Sequence, residues 1–132
     1  MEASTLATHA AWVLVVTYGV SLAYEVWRAA AKSHVSRHDS WGAVGLQLLV
    51  VYAPAAVVIG LLFAGVSWAA WLGVAFTVLW IVVSVAYYQP VIMAEREPGL
   101  IDWVEDFVYT GLLFVAGALL LYDATGWTLT SG

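Results

Sequence analysis

Hydrophobic positions along the chain come in four long runs rather than in the alternating or one-faced patterns of a soluble domain. They extend from about His9 to Ala30, Ala43 to Val66, Ala69 to Gln89 and Leu100 to Tyr122. Each is long enough to cross a bilayer core, which takes about 20 apolar residues at helical rise. Short polar segments separate them. The pattern predicts an all-α, integral membrane four-helix bundle in up-down order with short loops, a single transmembrane domain filling residues 1–132.

Punctuation within the runs sharpens the expectation. Asp39 or Ser40 is a reasonable cap for the second helix, and Gly65 to Ala70 is short enough to require a tight hairpin. Pro54 falls mid-span, where loss of a backbone donor predicts a kink, and Pro90 is expected to end the third span. Residues 90–97 then form a short interfacial helix. Ala56, Gly60 and Ala64 recur every four residues and predict a smooth face for close helix contact. Gly73, Thr77, Trp80 and Ser84 make a similar stripe on the third span, and Thr17, Ser21, Glu25 and Arg28 make a polar one on the first. Glu25 is expected to pair with Arg28, one turn away.

Composition agrees with the pattern: 64% of residues are hydrophobic and 10% charged, with mean hydropathy +0.91, far from the soluble range. Seven of the eight tryptophans (12, 27, 41, 68, 71, 103 and 127) stand at expected membrane boundaries. The residues before the first run include Glu2 but no Lys or Arg, so that run is expected to be a retained span rather than a cleaved signal. Arg28, Lys32 and Arg37 flank the first loop and Arg96 lies in the third. The positive-inside rule therefore places both longer loops in the cytoplasm and both termini outside the cell membrane. High Ala, Val, Trp and Arg with a single Lys hints at a GC-rich prokaryotic genome.

Nearly all the polar chemistry falls on that inner side. Asp102, Glu105, Asp106 and Tyr109 stand at i, i+3, i+4 and i+7 on one face of the fourth helix. Such carboxylates suit a hard cation, a shared proton or a basic partner. They also suit simple capping at a helix start, with Asp102 and Glu105 as a variant capping box. His34 and His38, four apart, complete a candidate divalent-metal set with Asp102, Glu105 and Asp106. No phosphate loop, nucleophile elbow, zinc-protease or EF-hand motif occurs. Cysteine is absent, and the net charge of −5 without basic clusters excludes nucleic-acid binding.

Three functions fit these residues. The preferred one is a non-catalytic subunit of a larger membrane complex, packing against other subunits or itself among the membrane lipids. Asp102, Glu105, Asp106, Ala56, Gly60 and Ala64 would be the contacts. The alternatives are a membrane enzyme component with the His and carboxylate metal site, and a small homo-oligomeric transporter or channel.

Overall fold

The computed structural model describes residues 5–33 and 35–126. Glu2, His34 and Trp127 lie outside that set. Four helices are long and apolar enough to span a membrane: α1 (Thr5–Ala31), α2 (Trp41–Phe63), α3 (Ala69–Glu95) and α4 (Leu100–Thr125). No strand occurs among the described residues.

Local chemistry sets the helix ends. Ser40, in extended backbone, accepts the Ala43 N–H at 3.0 Å and caps α2, which frees Asp39 for other work. At the far end of α2, Gly65 takes φ of 74°. There the Gly65 and Val66 N–H groups turn back to the carbonyls of Leu62 and Leu61, each at 3.2 Å. This is the Schellman arrangement, and it makes the expected tight connection to α3. The start of α4 is capped differently from expectation. Asp102 reaches back to accept the Gly99 N–H at 2.8 Å, a one-way cap in place of a pairing of Asp102 with Glu105.

Pro90 does not act as the sequence pattern implies. The third span does not end before Pro90; it continues to Glu95 through a π-helical stretch, Ser84–Ile92, that contains the proline. A second stretch, Leu48–Tyr52, immediately precedes the α-helical segment that begins at Ala53 and holds Pro54. A proline ring lacks the N–H and clashes with the carbonyl four residues back. Wider i→i+5 winding relieves both demands without stopping the helix. Residues 90–95 are thus the end of α3, not a separate interfacial helix.

The core lies along the contact of α1 with α4. Ala7, Ala10, Ala11, Leu14 and Tyr18 face Leu113, Ala116 and Leu120, all buried. α3 packs on the other side of α4 through the expected stripe, with Gly73, Thr77 and Ser84 buried. The stripe on α2 behaves otherwise. Ala56, Gly60 and Ala64 point out of the bundle, and the inward face is Ala55, Val58 and Leu62. Large apolar side chains cover the outside, Leu49, Val57, Leu79, Phe107 and Phe114 among them, as a lipid-facing surface requires.

Close approach of α3 and α4 depends on small residues. A Cβ at Gly73 would stand 2.6 Å from Leu120 Cδ1, and Leu120 is fully buried. Gly60 has open space around it. Gly73→Val is therefore expected to destabilise the bundle by roughly 1–3 kcal/mol through overpacking, whereas Gly60→Ala should cost nothing. Thermal midpoints of the purified variants in one detergent would show the contrast; equal midpoints would remove the packing argument.

Candidate functional site

The inward polar stripe of α1 is real, but its ion pairs are not the local ones. Glu25 does not pair with Arg28. Its two oxygens take both Arg96 Nη groups, at 2.9 and 2.6 Å, from the end of α3. Arg28 instead makes a two-pronged contact with Asp39, at 2.7 Å from Nε and 2.7 Å from Nη2, and donates from Nη1 to Asp102 at 3.2 Å. The one-turn spacing of Glu25 and Arg28 aims them at different neighbours, because each guanidinium finds a better oriented carboxylate on another segment.

Backbone carbonyls complete the assembly. Arg28 Nη2 donates to the carbonyl of Arg96 at 2.9 Å, and Arg96 Nη2 to that of His38 at 3.1 Å. Arg96 Nη1 also donates to the Tyr88 hydroxyl at 2.9 Å, and the Tyr24 hydroxyl donates to Asp102. Arg96 Nε faces Asp39 at 3.4 Å and is buried without a hydrogen bond. Side chains of Arg28, Arg96 and Asp39 are at most 2% exposed. Two guanidinium groups and three carboxylates thus close one end of the bundle. Burial favours the neutral Asp39 carboxyl, but hydrogen bonds from Arg28 and Ser36 and the charge of Arg96 outweigh it and hold it below the ordinary carboxylate range. Burial likewise works against the Arg96 charge, and Glu25 more than restores it.

Directly inside this cluster is a cavity of about 330 Å³, within the usual size range of small-molecule sites. Glu25, Arg96, Gln47, Asp106, Glu105 and Tyr109 all reach it. Both π-helical stretches contribute wall, Tyr52 from one and Ser84, Tyr88 and Ile92 from the other; such irregular turns recur at functional sites. Tyrosines form the floor: Ser21 bonds Tyr52 at 2.8 Å, and Tyr109 donates to Tyr18 at 3.2 Å.

The three carboxylates of α4 fan out rather than act together. Asp102 belongs to the ion cluster, Asp106 accepts from Gln89 at 2.7 Å, and Glu105 has no hydrogen bond or ion pair among the described residues. His38 also lines the cavity, with Nε2 at 2.6 Å from Glu95, which also takes the exposed Arg37. Among the described residues no three His, Asp or Glu side chains stand together as a metal-ligand set, so the structure does not gather His38, Asp102, Glu105 and Asp106 around one point. His34 lies outside the described residues.

Comparison with protein-family models, curated proteins and solved structures returned no match.

Sequence spacing found Asp106 and Tyr109 but missed the partners that make the site. Arg96, Asp39 and Tyr88 take their places only when loops and helices meet. The one available signal was that each is polar inside or beside an otherwise apolar run.

Asp39→Asn should destabilise the protein at pH 7 by about 3–5 kcal/mol, since it leaves Arg28 without its main counter-charge. Loss of the exposed Arg37 to Glu95 pair should cost at most about 1 kcal/mol. Because the Asp39 carboxyl titrates below its unfolded value, its contribution is complete above about pH 4 and disappears as the pH falls further. Thermal midpoints from pH 7 to 3 should therefore fall more steeply for the wild type than for Asp39→Asn.

Proposed function

We propose that this is a four-span protein of the cytoplasmic membrane that binds a small cationic or hydrogen-donating ligand in the cavity beneath its ion cluster. The single observation that carries this reading is the convergence of Glu25, Gln47, Asp106 and Tyr109 with Arg96 on one cavity. An inert spacer helix bundle has no use for such groups, which are costly to hold at membrane depth.

Charge decides the ligand class. Glu25, Glu105 and Asp106 line the cavity against Arg96 and His38; Arg96 is already bound to Glu25, Tyr88 and the His38 carbonyl, and His38 to Glu95. An anion would find no free cation. A protonated amine would find Glu105, which has no hydrogen bond or ion pair among the described residues, with Asp106 beside it on the same cavity. Apolar residues such as Val51, Val83 and Trp80 complete the wall and strengthen that attraction by excluding water.

The same reading orients the protein. Arg28 and Arg96 lie at one end, with Lys32 and Arg37 close to it in sequence. This supports an up-down bundle with that end in the cytoplasm and both termini outside. Assembly with other subunits is a second reading, favoured by the outward stripe of Ala56, Gly60 and Ala64, which offers another helix a close approach.

Thermal unfolding in detergent tests the first reading with methylammonium, acetate and sodium at matched ionic strength. Methylammonium at about 100 times its Kd should stabilise the wild type by about 2.7 kcal/mol, and acetate should do nothing. Asp106→Asn should abolish the methylammonium effect. Glu105→Gln should also abolish it. No stabilisation by methylammonium would end the proposal.

A further inference from the structure

Glu105 lines two spaces at once. On one side it reaches the polar cavity; on the other it borders an open groove of about 630 Å³ on the outer surface between α1 and α4. Apart from Tyr24 and Glu105, the side chains lining that groove are all apolar or indole, with Val20 and Ala23 on α1 and Val104 and Val108 on α4. These four are exposed and would face lipid chains. One further boundary of the cavity is the ion cluster, whose two arginines tie the ends of α1 and α3 to the α1–α2 connection and the start of α4. Passage through that end would require buried ion pairs to separate, at several kcal/mol each.

An apolar slot that leads to an unpaired carboxylate has the complement of an amphiphile: a hydrocarbon body in the slot and a positive head at the acid. Resting on the cavity reading above, we propose that the ligand is a lipophilic monovalent amine that arrives from the bilayer between α1 and α4, with its tail along Val20, Ala23, Val104 and Val108 and its ammonium on Glu105. The ammonium then has Asp106 and Gln47 within the same cavity as further partners. A zwitterionic lipid would bring its phosphate into a site already richer in carboxylates than in guanidinium groups, so a simple amine is the better match.

The test uses the full-length protein in phosphatidylcholine nanodiscs, with dodecylammonium and methylammonium as probes and binding read by intrinsic tryptophan fluorescence. Dodecylammonium is expected to displace methylammonium and to bind at least about tenfold more tightly, a difference of about 1.4 kcal/mol. Ala23→Trp and Val104→Trp, which fill the groove from two sides, should each erase that advantage and leave methylammonium binding as it was. Glu105→Gln should abolish binding of both probes. If the groove variants bind dodecylammonium as the wild type does, lateral arrival is overturned while the cavity reading survives. If neither probe binds, both fail. If phosphatidylethanolamine in the nanodisc suppresses dodecylammonium binding, a headgroup lipid is the occupant and the simple-amine proposal is overturned.

Discussion

Two arginines hold this structure in register. Arg28 and Arg96 sit back to back, each sharing a carboxylate set drawn from other segments, and each also bound to a backbone carbonyl that belongs to the other's neighbourhood. Apolar packing alone is weakly directional in lipid, since hydrocarbon chains solvate Leu and Val as well as another helix does. Helices could slide along their small-residue faces at little cost. Buried charges cannot slide, because each displaced pair leaves an uncompensated ion. The cluster therefore specifies which helix ends meet, and the apolar contacts fill in below.

That division of labour explains the cavity. Arg96 is drawn toward Glu25 and the His38 carbonyl, and Asp102 toward Tyr24 and Arg28. Glu105 and Asp106, one turn deeper on α4, are too far in to join and are left around a space lined by tyrosine, serine and glutamine. The excess of acid over base there follows from the geometry of the lid. A site with acceptors to spare is thus a by-product of the way the bundle closes.

The sequence disclosed the helices and the concentration of polar groups at one end, because hydrophobic run length and residue type are local properties. It disclosed the inward stripes of α1 and α3 for the same reason. Pairing was not local. The wheel put Glu25 beside Arg28, yet Glu25 meets Arg96, 71 positions away. Nor did spacing show that Ala56, Gly60 and Ala64 face away from the bundle, since a smooth face suits a contact within the chain as well as one between chains. Asp102, Glu105 and Asp106 illustrate the limit most clearly. A shared helical face implied a shared task, but side chains one turn apart reach in different directions, and the three have three different surroundings.

The wide winding of α3 has a geometric consequence. In an ordinary α-helix nine residues make two and a half turns, so Met93 would lie opposite Ser84. Both are buried. The looser coil from Ser84 to Ile92 takes those nine residues around about twice, which carries the inward azimuth of Gly73, Thr77 and Ser84 on to Met93 and, one turn later, to Arg96. A proline that looked like a terminator thus sits in the stretch that rephases the helix, and without that phase slip the guanidinium of Arg96 would point out of the bundle.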